Sequence, residues 1–123
     1  MSDDQANIKG FANVLPYLWI GTADAAMEKQ VLKNAGITHV LNCSSEDVDN
    51  FFPEDFTYKD FPIEDVHDAE PSQYFEPAYE FISGVKDNNQ KVFVHCTTGK
   101  NISPVIVLAY MMMSAKKQDK SRC

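Results

Sequence analysis

Three adjacent apolar residues, Val92, Phe93 and Val94, lead through a short loop holding Gly99 into residues 105–113, an almost wholly apolar run. A strand with apolar residues at successive positions is buried on both faces. A helix apolar nearly all round must be covered all round. Residues 37–43 repeat the strand pattern, with Val40 and Leu41 side by side. Strands and helices of this kind are satisfied together by an α/β layer architecture, a mostly parallel central sheet flanked by helices. In such sheets ligands sit beyond the carboxyl ends of the strands. The loop that starts at Cys96 occupies that kind of place.

The remaining segments fit this alternation. Residues 14–20 are rich in aromatic and branched side chains and read as a strand, with Pro16 suited to a sheet edge. Over residues 24–34 a helix is expected, because Met27, Val31, Leu32 and Ala35 recur at helical spacing and Gly36 suits the left-handed position past a helix end. Residues 44–53 form an acidic loop, 56–63 a third strand and 64–70 a polar loop. Ser72 is placed to cap a helix carrying Tyr74, Phe75, Ala78, Phe81, Ile82 and Val85 on one stripe; Pro77 requires the first turn or a bend. The last helix is expected from Ser103 or Pro104 to about Ser114. Without repeats or linkers, the chain reads as a flexible lead-in (1–13), one domain (14–114) and a charged tail (115–123).

Charge narrows the function classes. Among 123 residues, 18 acidic side chains stand against 11 basic ones, a net charge of −7. No basic field is present to gather phosphate backbones or anionic lipid, so neither nucleic acid nor a membrane is an expected partner. The apolar run 105–113 is far short of the ~20 residues of a membrane span. The acidic, polar N-terminus is unlike a signal peptide, which points to a cytoplasmic or nuclear location. Cys43, Cys96 and Cys123 have no metal-type spacing and are odd in number, so free thiols are expected. Ten of the eleven basic residues are lysines, leaving Arg122 as the chain's one arginine.

Cys96 stands at the exit of a buried strand, before a glycine-bearing loop and a helix N-terminus. Loop N–H groups and the positive end of the helix would converge on one point, which favours a thiolate and cradles an anion. A buried cysteine that merely fills the core is the competing reading.

The segment His95-Cys96-Thr97-Thr98-Gly99-Lys100-Asn101-Ile102-Ser103-Pro104 closely resembles the signature loop of the dual-specificity, cysteine-based protein phosphatases. Upstream, Tyr17-Leu18-Trp19-Ile20-Gly21, Gly36 to Asn42, Phe61-Pro62-Ile63-Glu64-Asp65 and Tyr74-Phe75 stand in the family's order. The resemblance covers nearly everything from Val14 to Met113 and implies the cysteine-phosphatase fold. In that family a thiolate attacks phosphorus, an aspartic acid protonates the leaving oxygen, and an arginine six positions after the cysteine grips the phosphoryl oxygens. Carried over, the resemblance makes Cys96 the nucleophile and Asp65 the general acid, with Asp68 a second candidate that fits less well. It makes Ser103 the group that stabilises the thiolate, Gly99 the turn glycine and His95 the histidine that tunes the cysteine. The phosphate-binding loop is then His95, Cys96, Thr97, Thr98, Gly99, Lys100, Asn101 and Ile102.

Position 102, where the family has its arginine, holds isoleucine. Phosphoryl transfer rests on positioning and on neutralising charge over three equatorial oxygens. A guanidinium does both with a planar fork of donors that an aliphatic side chain lacks. By analogy with arginine fingers the loss costs on the order of 10³ to 10⁵ in rate. Arg122 lies at the far end of the helix leaving the loop, and Lys100 offers a point charge without the fork. An impaired pseudophosphatase acting as adaptor or competitor in phosphorylation signalling is therefore expected. The alternatives are a slow phosphatase working through a Cys96 phosphocysteine, and a redox switch in which Cys43 traps oxidised Cys96, as in some relatives. Two free thiols that happen to be close remain the competing reading for Cys43. The family's chemistry needs no metal or organic cofactor. Family domains usually continue with helices that cover residues 105–113. Here the C-terminal helices are apparently missing, so a second copy or another partner is expected against that helix.

Overall fold

The computed structural model describes residues 11–45, 49–62, 71–96 and 102–122, apart from the side chains of 71–72, 102–104 and 117–122. Five strands, β1 (Phe11–Leu15), β2 (Leu18–Thr22), β3 (His39–Asn42), β4 (Thr57–Asp60) and β5 (Val92–Cys96), form one sheet in the order β1-β2-β5-β3-β4. β2, β5, β3 and β4 are parallel; β1 joins antiparallel at one edge. Helices α1 (Ala23–Ala26), α2 (Lys29–Asn34), α3 (Phe75–Asp87) and α4 (Ile102–Arg122) complete the layers.

β5 is central, and all five of its residues are buried. Side chains alternate across a strand, so Val92, Val94 and Cys96 join Leu18, Leu41, Cys43, Ile82, Ile106 and Tyr110 in one core. Phe93 faces the other core, with Val40, Ile37, Phe56, Ala25, Ala26 and Leu32. The Tyr17 and Tyr110 hydroxyls meet at 2.7 Å and tie α4 to the start of β2, while Lys86 Nζ lies 5.7 Å from the centre of the Tyr17 ring. Burial and the Tyr110 hydroxyl both push the Tyr17 phenol up from its ordinary value.

Several boundaries depart from the sequence expectations. The strand expected over 14–20 is two strands, because Pro16, lacking an N–H and fixed in φ, sits with Tyr17 in the turn between paired Leu15 and Leu18. β1 accordingly starts at Phe11, inside the stretch expected as lead-in; Phe11 is buried beside Phe93, with ring centres 5.3 Å apart. The helix expected over 24–34 is interrupted at Met27 and Glu28. Glu28 leaves the helical backbone region (ψ 80°), Ala25 and Ala26 seat in the core, and Met27, assigned to the apolar stripe, is 54% exposed. Ser72 lies in a 3-10 turn, Pro71–Tyr74, and the residue capping α3 is Tyr74, with no side-chain hydrogen bond. Pro77 is the third residue of α3, where the N–H has no helical acceptor to lose. Residues up to Arg122, expected as a charged tail, continue α4. Gly36 does end α2 in the left-handed region (φ +86°). Its N–H bonds the Lys33 carbonyl and that of Ile37 bonds Leu32, the paired bonds of a Schellman cap.

α4 buries Ile106, Val107 and Tyr110 but leaves Leu108 58% and Met112 64% exposed. Among the described residues no helix is long and apolar enough to cross a membrane. Truncating fully buried Ile82 to alanine is expected to lower unfolding free energy by about 2–5 kcal/mol, whereas Met112→Ala should change it by less than about 0.5 kcal/mol; urea denaturation of both variants measures the contrast.

Candidate functional site

Cys96 is the last residue of β5, 3% exposed, and α4 begins at Ile102. The helix therefore points its positive end back toward the carboxyl edge of the sheet, where an anion is favoured. Residues 97–101, the expected cradle of Thr97, Thr98, Gly99, Lys100 and Asn101, lie outside the described residues, as do Asp65 and Asp68. Ile102 and Ser103 are described as helical backbone only. Isoleucine thus opens α4 where the resemblance calls for arginine. Arg122 ends the same helix, about 30 Å away along the axis at 1.5 Å per residue.

Cys43 directly follows β3, and its N–H donates to the His95 carbonyl at 2.9 Å. It is fully buried in the same core as Cys96. Burial, and then the neighbouring Cys96, push its thiol well above the ordinary range, so Cys43 is held as a thiol. The structure thus brings the two cysteines together while keeping both from solvent.

His95 is 1% exposed and its ring stacks on Phe93, with centres 5.6 Å apart. Strand alternation turns it away from the face that Cys96 occupies. Both ring nitrogens lack a hydrogen-bond partner among the described residues. Burial pulls its pKa down to about 4, against an opposing pull from Asp60.

A polar row that the sequence reading missed crosses this end of the sheet, running from the surface into the core. Asp60, Asn42 and His95 are register partners on β4, β3 and β5. Asn42 Nδ2 donates to Asn50 Oδ1 at 3.0 Å, Asn50 Nδ2 to Asp60 Oδ1 at 2.9 Å, and Ser44 N–H to Asn42 Oδ1 at 2.9 Å. The available signal was Asn42 itself, a polar residue closing an apolar strand. Just past the acidic loop, Asp55 pairs with Lys29 and Lys33 at 3.0 and 3.2 Å, which holds its carboxyl below the ordinary range. Beside the middle of α4, Leu15, Tyr17, Lys86, Tyr110, Met111 and Ser114 line an open cleft of about 230 Å³.

A mostly parallel sheet whose central strand ends in a cysteine, with five residues between it and a helix N-terminus, is the arrangement of a cysteine-based phosphatase domain. The family model for the dual specificity phosphatase catalytic domain matches residues 18–121. Human dual specificity protein phosphatase 4 is 42% identical over 107 residues, 87% of this chain and 27% of that protein. Dual specificity protein phosphatase 1-A of Xenopus laevis is 42% identical over 103 residues, 84% of this chain and 28% of that protein. Among solved structures, the human tyrosine phosphatase-like serine/threonine/tyrosine-interacting protein superposes with a TM-score of 0.79 at 28% identity, covering 89% of this chain and 76% of that one. DUSP15 superposes with a TM-score of 0.77 at 28% identity, covering 85% and 66%. The chain belongs to the dual-specificity phosphatase family. It spans less than a third of the length of these curated relatives.

The neutral His95 has a pH consequence. Its folded pKa lies below the ordinary value of about 6.5, so between the two values the unfolded chain binds the proton that the folded chain refuses. Stability from this group is present above pH ~6.5 and is lost as pH falls toward 4, by up to about 3 kcal/mol. His95→Phe should flatten that part of the acid limb, read as urea midpoint against pH for both proteins.

Proposed function

We propose that this chain is a catalytically impaired dual-specificity phosphatase, an intracellular protein that engages phosphorylated protein as an adaptor or competitor rather than turning it over. The observation that carries this reading is Ile102, the first residue of α4 and the position six after Cys96. A phosphoryl group at the helix N-terminus would find backbone donors there but no guanidinium to clamp its equatorial oxygens. The name of one structural neighbour, phosphatase-like and interacting, is consistent with such a role.

Hydrolysis of a small aryl phosphate should stay at background in the wild type. Ile102→Arg should raise it by on the order of 10³-fold or more, and adding Cys96→Ser should abolish that gain. Cys96-dependent turnover by the unaltered chain would overturn the proposal in favour of a slow phosphatase.

A second reading is favoured by the adjacency of Cys43 and Cys96. A peroxide would oxidise the Cys96 sulfur to the sulfenic acid with release of water, and Cys43 would displace a second water to close the disulfide, a net loss of two hydrogens from the protein. Intact mass after mild peroxide treatment reports it; adducts of added oxygen without hydrogen loss exclude it.

The partner reading extends to the bare face of α4. Tyr79 packs on Tyr110 while Lys86 and Ser114 share the cleft, so α3 and α4 run side by side in the same direction. Exposed Glu76 and Glu80 stand toward one end of the pair, and exposed Lys86 and Lys116 toward the other. Antiparallel pairing of two copies over Leu108, Met111 and Met112 would set these opposite charges together. Size-exclusion chromatography with light scattering should then give twice the 13.9 kDa monomer mass, and Leu108→Glu should restore the monomer. A concentration-independent monomer would rule the pairing out.

A further inference from the structure

The chain of hydrogen bonds at the carboxyl ends of β3 and β4 has a direction. An ionised carboxylate only accepts and a backbone N–H only donates, whereas a carboxamide does both. The bonds run from Ser44 N–H to Asn42 Oδ1, from Asn42 Nδ2 to Asn50 Oδ1, and from Asn50 Nδ2 to Asp60 Oδ1. Every amide is thus oriented head to tail between one donor-only end and one acceptor-only end. Asn42 and Ser44 are fully buried, Asn50 is half-buried and Asp60 is exposed, so the row carries an instruction from the surface to the core.

Between Asn42 and Ser44 lies Cys43, whose N–H bonds the His95 carbonyl one residue before Cys96. On the other side, the Phe61 N–H bonds the Asn42 carbonyl at 2.8 Å, which joins the end of β4 to the same residue. We infer that Asp60 is a positioning residue for the Cys96 site, which through Asn50 and Asn42 fixes the chain path at Cys43 that β5 leans on where it delivers Cys96. The inference deepens the reading of Cys96 as the centre of the site and rests on it. Its test reads thiol protection and needs no phosphatase turnover, so the two can fail separately.

The experiment is native-state alkylation with iodoacetamide, mapped by mass spectrometry at Cys43 and Cys96, on the wild type, Asp60→Leu, Asp60→Asn and Asn50→Leu. Circular dichroism confirms that each variant is folded. Asp60→Leu removes the acceptor end of the chain, while Asp60→Asn keeps an acceptor oxygen and removes the charge. Asn50→Leu cuts the same chain one link further in, and serves if a strand-end variant does not fold. Loss of one net hydrogen bond admits roughly three- to tenfold more local opening. Alkylation of Cys43 and Cys96 is therefore expected to speed up by about that factor in Asp60→Leu and Asn50→Leu, and to stay near the wild-type rate in Asp60→Asn. Wild-type rates in both leucine variants would overturn the inference. Equal acceleration in Asp60→Asn would do so as well, since it would assign the effect to charge and not to the directed bonds.

Discussion

Burial of β5 on both faces is the constraint from which the rest of the molecule follows. Its five residues are enclosed because β2 and β3 pair on either side and helices lie above and below. Alternation along the strand then assigns Val92, Val94 and Cys96 to the core under α3 and α4, and Phe93 with His95 to the opposite side. A parallel strand buried in this way must leave the sheet at its carboxyl end, and the helix that returns starts with unsatisfied N–H groups at that edge. Cys96 is the last residue before that departure. The location of the site is thus a consequence of sheet topology, while its chemistry depends on which side chains the loop and the helix start supply.

Those side chains are a mixed set. A helix N-terminus is the part that favours negative charge. Isoleucine at the start of α4 offers no planar fork of donors of the kind a guanidinium carries. Among the described side chains of α4, Ile106, Val107 and Tyr110 pack into the core, further along the helix.

Much of this was legible in the residues. Adjacent Val40 and Leu41, and the Val92-Phe93-Val94 run, announced buried parallel strands; Gly36 announced the end of α2. The segments around Cys96 announced the family, since several motifs agreed in order and spacing. Local breaks were less legible. Pro16 fits a sheet edge or a tight turn equally well by composition, and only the pairing of Leu15 with Leu18 selects the turn. Met27 obeys helical spacing, yet the chain leaves the helix at Glu28 and exposes it. Periodicity records which residues prefer burial; it does not record where a neighbouring layer has room for them.

Strand order, and with it the neighbours of Cys96, belongs to a different level of information. Layer type, the α/β alternation and the missing arginine follow from residue types and their spacing along one chain, because apolar pattern and side-chain chemistry are local properties. The turning of His95 to the far face and the directed row from Ser44 through Asn42 and Asn50 to Asp60 required the assembled sheet. These contacts join residues from three strands and the connection between β3 and β4. Register between strands is decided by simultaneous burial of both faces and by hydrogen bonds that close only when all partners are present, and neither is a property of any single segment.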